Sequence, residues 1–241
     1  MKLQFGTWNI GHINKTNTSE DDNNHYIIEV VKSNSLNVIC LQEVIIKSKD
    51  SSSQLQQIKS GLNCEYYVEQ QLVDTWSKNG AIYGNAILSF FPITLVDKKI
   101  LDNPAIKYKR EGLSFLSHDK GFLCISLNDI LIINAHLYPF HSFNKDEKNY
   151  KYIYSEFERS ILKLCNKKKT IIGADFNTKH ISQLMPKLAD EFNILINGPT
   201  RPSGRADDNI LVNNGSEVES VNIIRTDSDH YLCACTIDLG E

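Results

Sequence analysis

Apolar residues along the chain fall in short runs, mostly about four to eight positions long and rich in Ile, Val, Leu and Phe, which is strand patterning. These runs predict strands near 2–9, 36–42, 64–70, 82–89, 93–101, 112–117, 121–127, 130–137, 169–174, 193–196, 208–213, 218–225 and 231–237. Helical spacing is clearest at 145–166, where Tyr150, Ile153, Tyr154, Phe157, Ile161 and Leu164 recur on one face. A second helix is expected over 20–33, with Ser19 as its cap ahead of Glu20, Asp21 and Asp22, whose charges suit a helix N-terminus. Two more are expected over 52–60 and 181–191, the latter in spite of Pro186. Many strands with helices between them imply a layered α/β domain. Asn103-Pro104 and Ser51-Ser52-Ser53 read as loops, and neither a Pro/Gly/Ser-rich linker nor an internal repeat divides the sequence. One domain over residues 1–241 is the expectation.

Composition narrows the class. Of 241 residues, 41% are hydrophobic and 23% charged, a globular balance that excludes disorder, collagen and coiled coil. No apolar run approaches the roughly 18 residues of a membrane span. The first residues, Met1 to Gly6, enter strand patterning at once and lack a secretory leader's apolar stretch. With 26 basic and 29 acidic residues the net charge is −3, so any grip on a polyanion has to be local. Six cysteines, four of them inside apolar runs and none in a C-x-x-C pair, read as buried free thiols. Together these features predict a reducing, cytoplasmic setting. No obligate protein partner is evident.

Several apolar runs stop at a residue able to bind metal or move a proton. Leu3 to Trp8 ends at Asn9, Val38 to Gln42 at Glu43, and Ile130 to Ala135 at His136; Thr170 to Ala174 ends at Asp175, with Asn177 two residues on; Ser228-Asp229-His230 precedes a final run. Polar residues at strand ends are ordinary one by one. Collected on one rim of a sheet, an Asn, a Glu, Asp residues and two His suit a hard divalent cation and a phosphate. Zinc suits them less, because the two His have no ligand spacing and no thiolate pair accompanies them.

Six motifs in order carry a family resemblance: Thr7-Trp8-Asn9-Ile10-Gly11, Leu41-Gln42-Glu43-Val44, Tyr83-Gly84-Asn85-Ala86-Ile87-Leu88-Ser89, Asn134-Ala135-His136-Leu137, Gly173-Ala174-Asp175-Phe176-Asn177 and Ser228-Asp229-His230. The segment Gly198 to Val212 adds a loop and strand before the last of them. The set, spanning residues 7 to 230, resembles the endonuclease/exonuclease/phosphatase superfamily, related in fold to pancreatic deoxyribonuclease. The resemblance implies an α/β four-layer α/β/β/α sandwich of two packed mixed β-sheets flanked by helices, with the site at one rim. It implies Glu43 as principal ligand of Mg²⁺ (with Mn²⁺ as a substitute), Asn9 beside it and Asp229 near the metal. Asp175 then aligns or deprotonates the attacking water, and Asn177 holds a phosphate oxygen. His136 donates to a phosphate oxygen or assists the leaving group. His230 contacts the scissile phosphate, oriented by Asp208. Asp207 is adjacent, but the phase of Ile210 and Val212 puts Asp208 on their face, which favours Asp208.

Departures from the family pattern concern substrate more than reaction. Phe90 and Phe91 precede Pro92 where a basic residue is common, and the basic residue common after the turn of the sixth strand is replaced by Lys120-Gly121. The loop Tyr138-Pro139-Phe140-His141-Ser142-Phe143 is expected to offer Tyr138 and Phe140 as stacking faces for bases. Arg201 and Arg205 are expected near phosphates. Lys107, Lys109 and Arg110 read chiefly as solvated surface, and Lys167-Lys168-Lys169 as a helix C-terminus. The leading expectation is a Mg²⁺-dependent phosphodiesterase, a nuclease or nucleic-acid end-processing hydrolase with nucleic acid as substrate. A phosphomonoesterase or lipid-headgroup phosphodiesterase is the alternative, and a non-catalytic binding module a further one.

Overall fold

Period-two alternation sorts strand side chains onto two faces, and here most strands bury both. The structure, a computed structural model, describes residues 2–11, 20–47, 53–74, 81–110, 112–166 and 168–240. One sheet runs through β13 (Glu217–Ile224), β14 (Leu232–Asp238), β1 (Lys2–Asn9), β2 (Val38–Lys47), β4 (Ile82–Ser89) and β3 (Tyr66–Asp74). The second runs through β11 (Phe192–Ile194), β12 (Asp208–Asn213), β10 (Thr170–Asp175), β9 (Ile130–His136), β8 (Gly121–Leu127) and β5 (Thr94–Ile100). The pairs β1/β2 and β9/β10 are parallel and the other pairings antiparallel. A parallel pair needs a crossover, and α1 (Glu20–Ser33) and α3 (Lys151–Cys165) supply the two. With α2 (Gln54–Leu62) beside α1, and α4 (Ile181–Leu184) and α5 (Pro186–Glu191) beside α3, helices cover both outer faces. The result is a four-layer α/β/β/α sandwich.

Three apolar interfaces follow from the four layers. Ile27, Val31 and Ile58 pack on Ile39, Leu41 and Leu88 outside the first sheet. Phe157, Ile161 and Leu188 pack on Ile133, Ile172 and Leu211 outside the second. Phe5, Cys40, Ile87, Ile125, Ile132, Ile171 and Ile210 meet between the sheets. Gly173 allows the sheets to close on each other there, since a Cβ would lie 2.7 Å from Phe5 Cζ and 2.8 Å from Thr7 Cβ. All six cysteines are buried and free, and burial pushes the Cys40 and Cys233 thiols well above their ordinary range.

Departures from the sequence-based boundaries have local causes. β2 continues past Gln42 because a bulge between Leu41 and Val44 absorbs Glu43, at φ 55°, and the strand then resumes. The expected 181–191 helix breaks at Met185 (φ −134°, ψ 64°), the residue that Pro186 excludes from helical geometry. The expected 145–166 helix opens with a 3₁₀ turn at Glu147–Tyr150. The helix expected over 52–60 starts at Gln54, capped by the Ser53 hydroxyl, which accepts from the Gln56 N–H at 3.1 Å. A hairpin of β6 (Lys107–Arg110) and β7 (Leu113–Leu116) stands apart from both large sheets, and β6 lies where no strand is expected. The Ser19 cap, most of the Ser51–Ser53 loop and Lys167 lie outside the described residues.

Candidate active site

The stripes that face between the sheets end in polar residues at one rim. Phe5, Thr7 and Asn9 share a face of β1; Ile132, Asn134 and His136 share one of β9; Ile171, Gly173 and Asp175 share one of β10; Asp208, Ile210 and Val212 share one of β12. Register does the rest, setting Asp175 opposite His136 on one side and Asp208 on the other. Just beneath the rim, Gln42 Nε2 donates to Thr7 Oγ1 (2.9 Å) and Asn134 Oδ1 (2.8 Å), while Asn134 Nδ2 donates to the Leu41 and Ala86 carbonyls (2.8 Å each). This buried polar bridge ties the two sheets and fixes the spacing of the residues above it.

Asp175 is the centre. Its Oδ2 accepts from Asn9 Nδ2 at 2.9 Å and faces His136 Nε2 at 3.4 Å and His230 Nε2 at 3.8 Å. Its Oδ1 accepts from the Asn177 backbone N–H at 2.9 Å, an Asx turn that holds Asn177 at φ 55°. The Asn177 amide donates to the Leu137 carbonyl at 2.9 Å. On the far side of His230, Nδ1 lies 2.8 Å from Asp208 Oδ2, and the His230 carbonyl accepts from the Trp8 indole at 3.0 Å. Burial raises Asp175 to about 7, against the pull of His230. Burial opposes charge on His230, yet Asp208 and Asp175 outweigh it and raise the imidazole to about 10. A protonated His230 between two carboxylates is the outcome.

Glu43 reaches the rim from the β2 bulge. A Cβ on Gly11 would lie 2.7 Å from Glu43 Cβ, so this glycine makes room for the side chain. Glu43 Oε1 is 3.7 Å from both Lys120 Nζ and His136 Nε2. Lys120 Nζ also lies 2.9 Å from His136 Nε2. Burial first, and then the Lys120 charge, hold His136 well below its ordinary pKa, so the ring is neutral and accepts from the ammonium. Sequence reading noted Lys120 only as a departure. A signal was present: Asn128 and Asp129 close a two-residue turn that sets Gly121 opposite His136, one position from Lys120.

The segment after Gly198 departs most from expectation. Asp208 is the carboxylate at His230, and Thr200, which the sequence reading did not single out, holds it: the hydroxyl donates to Asp208 Oδ2 (2.7 Å) and accepts from the Asp207 and Asp208 N–H groups (3.0 and 3.1 Å). Asp207 instead collects both arginines, Arg201 Nη1 at 3.2 Å and Arg205 Nε and Nη2 at 3.0 and 2.7 Å. Arg201 Nη2 pairs with Asp229 Oδ2 at 2.5 Å at the cavity edge, so the carboxylate expected near a metal is neutralised there. Arg205 turns away to His141, 2.9 Å from Nδ1, and lines a second cavity rather than the rim. Tyr138 and Phe140 correct the sequence reading outright. They are 0% and 1% exposed, with Phe140 stacked on Tyr150 at 4.3 Å, and core packing against α3 leaves no face for a base.

The rim opens into a cavity of about 420 Å³ lined by Asn9, Glu43, Lys120, His136, Asp175, Asn177, Arg201, Asp229 and His230. Its donors suit a hard cation. Glu43 and Asp175 supply carboxylate oxygens, His136 and His230 have ring nitrogens engaged by Lys120 and Asp208, and no cysteine lines the cavity among the described residues. Atoms of Asp175, Asp208 and His230 also lie within 4.8 Å of one another. Their hydrogen bonds make that trio an ion-pair array more than a metal cage, and Glu43, partly exposed on the cavity wall, is a separate carboxylate able to face a cation. Among the described residues no helix is long and apolar enough to cross a membrane.

Comparison with known proteins bears on the fold and the family. In fold the chain is similar to an endonuclease/exonuclease/phosphatase from Beutenbergia cavernae (TM-score 0.73, 17% identity, covering 99% of this chain and 72% of that one). It is also similar to the human Nocturnin catalytic domain with bound sulfate (TM-score 0.69, 16% identity, 98% and 94%). A third likeness is a Bacteroides thetaiotaomicron mannosyl-6-phosphatase (TM-score 0.67, 13% identity, 98% and 100%). No curated protein sequence matches. A family model does, across residues 6–230, from the first rim motif to His230. By that match the chain belongs to the endonuclease/exonuclease/phosphatase family.

Proposed function

We propose that the protein is a Mg²⁺-dependent phosphodiesterase of the nuclease type. The observation that carries the reading is Asp175 Oδ2, which meets Asn9, His136 and His230 at 2.9, 3.4 and 3.8 Å on the wall of a solvent-open cavity. Glu43, with Asn9 lining the same cavity, would hold the metal, which when bound would offset charge on the phosphate. Protonated His230 presents Nε2 to a phosphate oxygen, and Asp208 keeps the proton on Nδ1. Asp175, ionised above about pH 7, orients the attacking water and takes its proton. Lys120 rather than the neutral His136 donates toward the departing oxygen, with His136 fixing the ammonium. Asn177 holds a phosphate oxygen.

A phosphomonoesterase reading has a specific support of its own. Arg205 is engaged by Asp207, and Tyr138 and Phe140 are core residues, so part of the surface expected to hold a polymer is missing. A mannosyl-6-phosphatase among the similar folds accords with that reading. The test is a panel of bis(p-nitrophenyl) phosphate, p-nitrophenyl phosphate and a labelled oligonucleotide, assayed in chelator and with added Mg²⁺ or Mn²⁺. Diester cleavage restored by the metal is expected. Full turnover in protein shown metal-free by elemental analysis would overturn the mechanism, and monoester turnover alone would select the second reading.

A further inference from the structure

We infer that Tyr108 and Phe143 form a subsite for a nucleobase carried by the reacting phosphoester. The inference rests on the proposed hydrolase only for its turnover measurement. Both rings line the same cavity as Glu43, Asp175 and His230. Their centroids are 4.7 Å apart at 41°, and Phe115 continues the row 5.7 Å from Tyr108 at 32°. Each is half-buried, Phe143 with one side against the apolar core and Tyr108 outside it.

The hairpin that carries Tyr108 is placed as a wall of the site. An isolated two-stranded ribbon is marginal in water, so β6–β7 depends on what its inner face touches. Leu113 and Leu116 stay 64% and 53% exposed, so the hairpin does not serve to bury its aliphatic residues. What it turns inward is Tyr108, toward Phe143 and the cavity, with Phe115 packed beside Tyr108. The cavity thus has a charged wall for a phosphate and an aromatic wall, with Leu72 and Tyr83 completing its apolar part. About 420 Å³ suits a nucleotide-sized ligand, pockets for small molecules running from roughly 300 to 1,000 Å³. A base has the flat π-face such rings stack on, which an inositol lacks. Lys109 and Asp119 at the same cavity give polar partners to its edge. The base belongs to a free nucleotide or to the terminal nucleotide of a chain.

Binding tests this without turnover. Calorimetry with Ca²⁺ present compares thymidine 5′-phosphate with ribose 5-phosphate. Wild type is expected to bind the first at least about 5-fold more tightly, the low end of stacking on one ring. Tyr108→Leu and Phe143→Leu should erase the difference, and Tyr108→Phe should keep it. Equal affinities in the wild type overturn the subsite whatever the activity, and an unchanged preference in both Leu variants overturns its location. For turnover, the p-nitrophenyl esters of thymidine 5′-phosphate and of ethyl phosphate share a leaving group. Both Leu variants should lose kcat/KM on the nucleoside ester alone, whereas equal loss on the two esters makes the rings merely structural and overturns the inference. Should wild type bind thymidine 5′-phosphate selectively yet hydrolyse neither ester, the hydrolase reading fails and the subsite stands. Competition by a single-stranded ten-mer against thymidine 5′-phosphate distinguishes the sources: per-molecule affinity above the mononucleotide's assigns a chain end, and equal or lower affinity a free nucleotide.

Discussion

Lys120 Nζ lies 2.9 Å from Nε2 of His136, the ring nitrogen that also faces Glu43 and Asp175 at 3.7 and 3.4 Å. A neutral imidazole accepting from an ammonium inverts the usual pairing, in which a histidine donates to a carboxylate. It follows from burial and the cation together. Replacing Lys120 by Met should therefore raise the His136 pKa, read by NMR of the ring nitrogens, and reduce kcat by about 10²–10³-fold if Lys120 stabilises the departing oxygen. An unmoved His136 pKa would reject the electrostatic link, and an unchanged kcat the role in turnover.

Asp175→Asn and His230→Ala remove the proposed base and phosphate contact. Each should lower kcat by about 10²-fold or more with KM for a small diester less affected. Wild-type rates in both would place the chemistry elsewhere.

The contributions of Asp175 and His230 to the stability of the metal-free protein should each fall as pH rises, in two windows. His136, His141 and His118, whose pKa values burial depresses, instead add stability as pH climbs toward 6.5. Asp175 keeps its proton to about 7 when folded, but loses it near 3.8 when unfolded, so its contribution is present below the lower value and lost as pH climbs through the upper. His230 behaves alike between 6.5 and about 10. Urea unfolding in chelator from pH 4 to 10 should show both declines as differences between wild type and the matching variant. Asp175→Asn should flatten the lower one and His230→Gln the upper. A wild-type-minus-variant difference that climbs through either window would contradict the buried charge array.

Thr200→Val should lower stability by about 1–3 kcal/mol, because the Asp207 and Asp208 amides and the Asp208 carboxylate lose a buried partner. It should also loosen His230 and lower kcat, while Thr200→Ser should restore both. Chemical denaturation with parallel kinetics checks this, and a stable, fully active Val variant would deny the hydroxyl any part.

The arginines are now a stability test before a substrate test. Arg205→Ala leaves Asp207, which is 1% exposed, with Arg201 as its remaining cation, at a cost of about 1–2 kcal/mol, because Arg205 is more than a third exposed. Adding Asp207→Asn should recover most of the loss. Additive losses in the double variant, measured by denaturation, would mean the two do not interact.

The sequence by itself determined the layers and the rim. Short, nearly continuous apolar runs that end at Asn9, His136 and Asp175 are a one-dimensional record of strands with two buried faces, and the last residue of each inner stripe is where the core stops. The same phase argument selected Asp208 over Asp207, and the structure pairs Asp208 with His230. Periodicity is silent on what lies across space. Tyr138 and Phe140 follow a strand as loop residues do, yet α3 folds back over them, and that contact depends on how a crossover helix packs. Arg201 and Arg205 lie close in sequence to the last motifs, but only the turn closed by Thr200 decides that Asp207 receives both. Lys120 meets His136 through strand register, and Glu43 enters the cavity through a bulge at positive φ. Strand patterning is local, because it depends on which side of one strand each residue faces. Charge pairing and burial in loops are decided only when distant segments pack, and there the tertiary structure alone assigned the partners.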